Sequence, residues 1–160
     1  MLEVVKVASY IVSRYRTQYG RCIDEMKLHK LLYFAQRESF VLQQKPLFDT
    51  AFHAWKYGPV IVEIRTLYKQ GKLNEGLSDK DLSIYQGVFD QVFERYAYKD
   101  SWTLSSISHG EISWQNARIG IPADENSDEL MSLEDIRKDA QRIKDRRYWL
   151  SRMQVVSSNA

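Results

Sequence analysis

The sequence contains little glycine and proline and a single cysteine. Seven glycines and three prolines occur among 160 residues, fewer than the roughly 12% that these two residues usually contribute. Because each junction between short strands needs residues that form turns, this shortage favours helices over a fold of many strands. Cys22 is the only cysteine, which excludes an intrachain disulfide bond and a zinc site built from cysteines.

The chain also lacks a long apolar segment and a strong net charge. Its longest apolar run, residues 31–35, is far shorter than the roughly 18 residues of a membrane-spanning helix. Glu3 and Lys6 interrupt the apolar N-terminal stretch, so we expect no signal peptide, no membrane partner and a cytoplasmic protein. A net charge of +2 argues against a dedicated nucleic-acid-binding protein.

Apolar residues recur at helical spacing along most of the chain, and the composition is that of an ordinary globular protein. Asp24, Ser78 and Ser132 are suitable N-caps for three of the helices. We expect a mainly α fold, a compact single-domain bundle of about six to seven helices. The domain is expected to span residues 1–150, and residues 151–160 are expected to form a flexible tail. The helices are predicted at residues 2–17, 25–43, 59–68, 79–98, 101–109, 113–118 and 133–149.

An aromatic segment interrupts the helical pattern. Phe48, Phe52, Trp55 and Tyr57 lie close together just before the sequence Gly58-Pro59. We interpret residues 47–58 as an extended segment or short hairpin packed on the helices. The aromatic side chains suit two roles, since Trp and Tyr fill protein cores and also dominate protein interfaces.

No motif for catalysis, metal binding or phosphate binding is present. The three histidines are dispersed, and the glycines form no phosphate-binding loop. His109 lies near several serines and Glu111, which invites comparison with a hydrolase. Helix-capping serines and a structural histidine are the interpretation that we favour. We therefore expect no enzymatic activity, no cofactor and no metal ion.

Charge is divided unevenly over the last third of the chain. Residues 123–135 contain six acidic and no basic residues, and residues 136–152 contain seven basic residues and two aspartates. A solvated loop and a solvated helix face are the simplest interpretation. A basic surface for nucleic acid or an acidic protein is the alternative. It would consist of Arg137, Lys138, Arg142, Lys144, Arg146 and Arg147.

Three ordered segments resemble a known family. KLHKLLYFAQ at residues 27–36 is similar to the KLxKLLYYAQ helix of the Panacea domain, also called the SocA-like antitoxin domain. KPLF at residues 45–48 and AWKYGPV at residues 54–60 resemble its GKPLF and AWxYGPV segments. Ser108, His109 and Trp114 resemble its (T/S)H…PW segment, although Ser113 replaces the usual proline.

The resemblance implies a function that composition does not. Such domains are mainly helical, occur in bacteria, phages and other mobile elements, and serve as antitoxins of two-gene toxin–antitoxin systems. They neutralise the toxin by direct protein contact, and the family is paired with many unrelated toxin types. One member instead delivers its toxin to a cytosolic protease. The implied partner is thus a toxin encoded by an adjacent gene, with a protease adaptor or a nucleic-acid-binding accessory protein as alternatives.

Two surfaces are candidates for contact with the toxin. The first is acidic and could imitate a phosphate backbone in the basic cleft of a toxin; it comprises Asp124, Glu125, Asp128 and Glu129. The second is aromatic and comprises Tyr33, Trp55, Lys56 and Tyr57, with His109 and Trp114 from the third segment. Core packing is the alternative role for the second group. The sequence leaves the oligomeric state open.

Overall fold

The structure is a computed structural model that describes residues 1–159, and for residues 155–159 it describes the backbone alone. Within this range the chain forms seven α-helices and one β-hairpin. The helices are α1 (Val4–Tyr19), α2 (Glu25–Gln43), α3 (Val62–Lys69), α4 (Asp79–Val92), α5 (Ser101–His109), α6 (Ile112–Ala117) and α7 (Leu133–Asn159). The expected mainly α fold with a short hairpin is confirmed.

Helix α2 is the centre of the bundle. It begins as predicted at Asp24, whose Oδ1 accepts a hydrogen bond from Lys27 N at 2.8 Å. Helices α1, α4, α5 and α7 and the hairpin pack around it. The helical spacing of Leu28, Leu31, Leu32, Ala35, Ser39 and Leu42 predicts a single apolar face. Instead α2 is buried on all sides from Lys27 to Val41, whereas Leu42 is 45% exposed.

The hairpin overlaps the predicted segment at residues 47–58 and extends two residues beyond it. Strand β1 (His53–Trp55) pairs antiparallel with β2 (Gly58–Val60), and His53 is opposite Val60. The prediction that Pro59 starts a helix is wrong, because Pro59 lies within β2 and α3 begins at Val62. Long-range strand pairing prevails here over the local preference of proline for the first turn of a helix.

Two helix ends differ most from prediction. The helix predicted to reach residue 98 is regular to Val92 and continues as a π-helical turn over Phe93–Ala97. Helix α7 continues to Asn159, so its predicted end at residue 149 is wrong. The segment 151–159 of the expected tail is thus helical, and residue 160 lies outside the described residues. In the part of the chain that the structure describes, no helix is long and apolar enough to cross a membrane.

Buried polar contacts attach α7 to the rest of the bundle. Arg147 forms an ion pair with Glu38, a fully buried residue of α2, with Arg147 Nη1 at 3.0 Å from Glu38 Oε2. Asp139 Oδ1 accepts a hydrogen bond from Ile112 N at 2.6 Å, at the first turn of α6. A side chain of α7 therefore provides the acceptor that the N-terminus of α6 needs.

Candidate functional site

The three motif segments meet at the hairpin. Lys30 of α2 donates a hydrogen bond from Nζ to Pro59 O at 3.3 Å. Ser105 of α5 donates to Tyr57 O at 2.6 Å. Trp114 of α6 donates from Nε1 to Trp55 O at 2.9 Å. Because the main-chain carbonyls of the hairpin accept hydrogen bonds from three helices, the hairpin is held firmly against the bundle.

Gly58 allows this close approach. Its φ is +113°, which disfavours any residue with a side chain. A Cβ atom at this position would lie 2.5 Å from Ser108 Oγ and 2.6 Å from Lys30 Cε. Glycine therefore lets the turn of the hairpin pack directly on Lys30 and Ser108.

A pocket of about 310 Å³ opens between α2, the hairpin and α3. An ion pair closes one side, since Arg65 Nη1 lies 2.6 Å from Glu25 Oε2. The Arg65 guanidinium also lies over the Trp55 ring, 5.3 Å from its centroid. The pocket is lined by Glu25, Met26, His29, Lys30, Trp55, Lys56, Tyr57, Gly58, Val60, Arg65 and Asn126.

Two titratable side chains of α2 are buried at this pocket. Burial lowers the pKa of Lys30 to about 7, an effect that the nearby carboxylates of Asp24 and Glu25 oppose. Burial, together with the positive charges of Lys30 and Arg65, lowers the pKa of His29 to about 3. His29 Nδ1 accepts a hydrogen bond from Ile61 N at 3.3 Å. The imidazole is therefore neutral at pH 7 and carries its proton on Nε2.

Two large aromatic side chains are exposed beside the pocket. Tyr57, at the turn of the hairpin, is 47% exposed, and Trp102 of α5 is 61% exposed. Their rings are in edge-to-face contact, with centroids 5.4 Å apart. Together they form an apolar patch of the kind that interfaces use.

The acidic loop lies along the outer edge of the hairpin. Ala54 N donates to Glu129 O at 2.8 Å, and Met131 N donates to Phe52 O at 2.8 Å. Lys56 N also donates to Asn126 Oδ1 at 3.1 Å, next to Tyr57. These main-chain contacts hold the loop in place. We call Tyr57, Trp102, Asp124, Glu125, Asp128 and Glu129 the hairpin face.

The four carboxylates of the hairpin face are free. Asp124, Glu125, Asp128 and Glu129 are all exposed. Among residues 1–159, none of them has an ion-pair partner within 4.0 Å. Their negative charge is therefore directed to solvent beside the aromatic patch.

His109 and Trp114 support the hairpin from behind. Their rings are stacked with centroids 4.2 Å apart, and both residues are partly buried. Burial lowers the pKa of His109. Ser108 donates to Ser105 O and Glu111 Oε1 accepts from Arg37, so both side chains are engaged with groups other than His109. The described residues place no hydrogen bond between His109 and these groups.

Tyr33 lies in the interior and not on a partner surface. Its side chain is fully buried, and its hydroxyl lies 2.7 Å from Glu111 Oε2 and 2.8 Å from Asp139 Oδ2. Arg37 Nη1 contacts the other oxygen of Glu111 at 2.8 Å. Tyr33 thus belongs to a buried polar network that joins α2 to α6 and α7, and its burial agrees with core packing, the alternative role given for this group.

The basic residues of α7 are partly engaged within the chain. Arg147 pairs with Glu38, Arg137 pairs with Glu134, and Lys138 pairs with Asp135. Arg142, Lys144 and Arg146 are exposed. The paired residues have less charge available for a phosphate backbone, which weakens the prediction of a basic surface.

Sequence reasoning overlooked three residues of this site. The sequence places His29 and Lys30 in a helix motif and predicts no function for them. The signal that could have found them is that both polar residues have apolar neighbours in this motif. Trp102 was assigned to a short helix without a role, and only the fold brings it to Tyr57. In the described part of the chain, no group of histidine, cysteine or acidic side chains is arranged to hold a metal ion.

Fold and site together define a mainly helical protein in which two motif segments, residues 27–36 and 54–60, line a pocket next to an exposed aromatic and acidic face. A family model described as antitoxin SocA-like, Panacea domain, matches residues 28–115. Since this match covers more than half of the 160 residues, the chain belongs to that family. Membership of an antitoxin family implies a toxin as partner. No curated protein and no solved structure matches the chain.

Proposed function

We propose that the protein is the antitoxin of a bacterial or phage two-gene system and that it neutralises a cytoplasmic toxin, encoded by an adjacent gene, by direct contact. It acts by binding and not by catalysis. The observation that carries this proposal is the hairpin face, where the exposed rings of Tyr57 and Trp102 adjoin four unpaired carboxylates. Family membership supplies the class of partner.

The two parts of the hairpin face have different physical roles. Exposed tyrosine and tryptophan supply apolar area with little loss of conformational entropy, as in the hot spots of protein interfaces. The carboxylates attract a basic surface and speed the encounter with it. A toxin that acts on nucleic acids or nucleotides has such a surface at its active site, where the acidic loop would take the place of phosphate groups.

Co-expression with the product of the adjacent gene tests this proposal. We expect that product to arrest growth alone and to become harmless in a stable complex with this chain. A host that lacks its cytosolic proteases separates the alternatives, because rescue by direct contact persists there whereas rescue by a protease adaptor is lost. A harmless neighbour that does not co-purify would contradict the proposal.

Charge reversal tests the acidic part of the face. Glu125→Lys with Glu129→Lys should weaken the complex about tenfold or more, because the like charges would then repel a basic toxin. Glu75→Lys with Glu94→Lys is the matched control, since both glutamates are exposed and lie outside the hairpin face. Equal affinity of the two double variants for the toxin, measured by calorimetry, would exclude the acidic loop from the interface.

Truncation of an exposed ring tests the aromatic part. Trp102→Ala should weaken the complex by about 2 kcal/mol or more if the side chain is a hot spot. Trp149→Ala is the control, because Trp149 is 65% exposed and lies on α7. If both variants bind the toxin like the unmodified protein, the patch of Tyr57 and Trp102 is not the contact.

A further inference from the structure

The pocket beside the hairpin contains hydrogen-bond donors that lack acceptors. Lys30 Nζ has three N–H groups, and within the described residues its one hydrogen bond is the 3.3 Å contact with Pro59 O. His29 Nε2 and Trp55 Nε1 are buried and have no partner among those residues. All three side chains line the pocket, and both Lys30 and His29 are 1% exposed.

These groups need an acceptor. His29 receives the Ile61 amide on Nδ1, so its Nε2 is a donor, and an indole N–H is a donor only. A buried donor that lacks an acceptor is unfavourable, because it has lost its hydrogen bonds with water and gained none in the protein. Three donors lining one pocket therefore favour a ligand that presents hydrogen-bond acceptors.

The charge balance indicates a group with one negative charge. Arg65 is paired with Glu25 at 2.6 Å. Lys56 lies over the Tyr57 ring, 5.2 Å from its centroid, and is only partly buried. Among the lysine and arginine side chains that line the pocket, Lys30 is therefore the buried one without a carboxylate within 4.0 Å in the described range. One buried positive charge balances a carboxylate, whereas a phosphate dianion would bring an unbalanced charge into the pocket.

The remaining wall of the pocket is apolar and the space is small. Met26, Val60 and the rings of Trp55 and Tyr57 face it. A volume of about 310 Å³ is at the lower end of the range of roughly 300–1,000 Å³ for ligand pockets. Such a space accepts an amino-acid side chain or a small organic acid.

We propose that this pocket binds a carboxylate on an apolar stem, with its oxygens accepting hydrogen bonds from Lys30, His29 and Trp55 and its stem lying against Met26 and Val60. The inference does not depend on the proposed antitoxin function. The same chemistry is offered by an acidic or C-terminal residue of a partner protein and by a free small acid.

Titration of the full chain with phenylacetate tests the proposal, with the indole N–H signals followed by NMR. We expect a saturable shift of the Trp55 signal, and at least about tenfold weaker binding of 2-phenylethanol, which has the same ring without the charge. Inorganic phosphate should also bind more weakly than phenylacetate. Absence of a saturable Trp55 shift, or equal binding of the alcohol, would overturn the proposal.

Two lysines of the pocket provide a matched pair of variants. Lys30→Met keeps the stem and removes the buried charge, and it should abolish phenylacetate binding. Lys56→Met removes a partly exposed charge at the rim and should change the affinity by less than about threefold. Equal effects of the two variants would contradict the assignment of Lys30 as the carboxylate partner.

The pH dependence of binding gives an answer even if Lys30→Met does not fold. Because Lys30 has a pKa of about 7, its charge is lost above that pH, and phenylacetate affinity should fall about tenfold between pH 7.5 and 8.5. A constant affinity over this interval would exclude Lys30. The other titratable or charged groups around its amine are Asp24, Glu25, His29, Lys56, Arg65 and His109.

Competition distinguishes the two sources of the carboxylate. If phenylacetate displaces the toxin from the complex, the toxin supplies the carboxylate. If phenylacetate binds without affecting the toxin, the natural ligand is a free small acid. This competition needs the toxin, whereas the direct titration with phenylacetate tests the pocket without it, so failure of the proposed function and failure of the pocket proposal can be told apart.

Discussion

His29 shows how burial changes the chemistry of a single residue. Its ring is 1% exposed, it accepts the Ile61 amide, and its pKa is lowered from 6.5 to about 3. Between these two pH values the unfolded chain binds a proton at this position and the folded chain does not. Stability therefore falls as the pH decreases through this interval, by up to about 1.4 kcal/mol for each pH unit.

Replacement of this ring should flatten the acid side of the stability profile. His29→Gln keeps an acceptor for the Ile61 amide and removes the titrating group. From pH 6.5 to 4.5 we expect the variant to lose about 2 kcal/mol less unfolding free energy than the unmodified protein. Urea unfolding followed by tryptophan fluorescence measures this difference. His53→Gln is the control at a partly exposed histidine, and the same loss in all three proteins would refute the prediction.

The turn of the hairpin depends on one glycine. At Gly58 both the backbone angle and the neighbours Ser108 and Lys30 exclude a side chain. At Gly20, which has a φ of +70°, nothing lies within 4 Å of the position of a Cβ atom. Alanine substitutions at the two positions therefore distinguish the cost of a left-handed backbone from the cost of steric conflict.

Gly58→Ala should destabilise the protein more than Gly20→Ala. For Gly20→Ala we expect a loss of about 1 kcal/mol from the left-handed backbone alone. For Gly58→Ala we expect at least about 2 kcal/mol in addition, because the hairpin or Lys30 must move. Thermal unfolding of both variants measures the difference. Equal losses of unfolding free energy in the two variants would mean that the turn accommodates the added methyl group at no extra cost.

Elements that depend on local signals could be predicted from the sequence. Helix α5 has the predicted bounds, and α2 begins at its predicted cap, because helical spacing and capping act within a few residues. The helix start predicted at Pro59 is wrong, because pairing with β1 determines the conformation of this residue. The sequence also could not show that α2 is central, because its polar residues find partners such as Glu111 and Arg147 far along the chain.

The candidate site could likewise be predicted from the sequence only in part. Trp55, Lys56, Tyr57 and the acidic loop were named from sequence, and their common location follows from the main-chain contacts of the loop with β1. For Tyr33 the motif leaves partner contact and core packing open, because its hydrogen-bond partners Glu111 and Asp139 are remote in sequence. Which motif residues face solvent depends on tertiary packing and not on spacing.

At the scale of the whole molecule, a buried ion pair attaches the long helix α7 to the centre. Glu38 is fully buried and Arg147 supplies its counter-charge. Arg147→Met should cost about 3–5 kcal/mol of unfolding free energy, because it leaves a buried carboxylate without a partner. Arg146→Met, at an exposed neighbouring position, should change stability by less than about 0.5 kcal/mol. Chemical denaturation of the two variants is the measurement, and similar midpoints would show that the pair is dispensable.

The acidic loop is attached to the bundle chiefly through main-chain atoms. Ala54 N and the Arg118 guanidinium contact the carbonyl oxygens of Glu129 and Glu125, whereas the carboxylates of these two residues are exposed. Amide and carbonyl groups are the same for almost every amino acid. The side chains of the loop can therefore be substituted during evolution without disturbing the scaffold. If the loop contacts the toxin as we propose, a new partner specificity can evolve on a fold that stays unchanged.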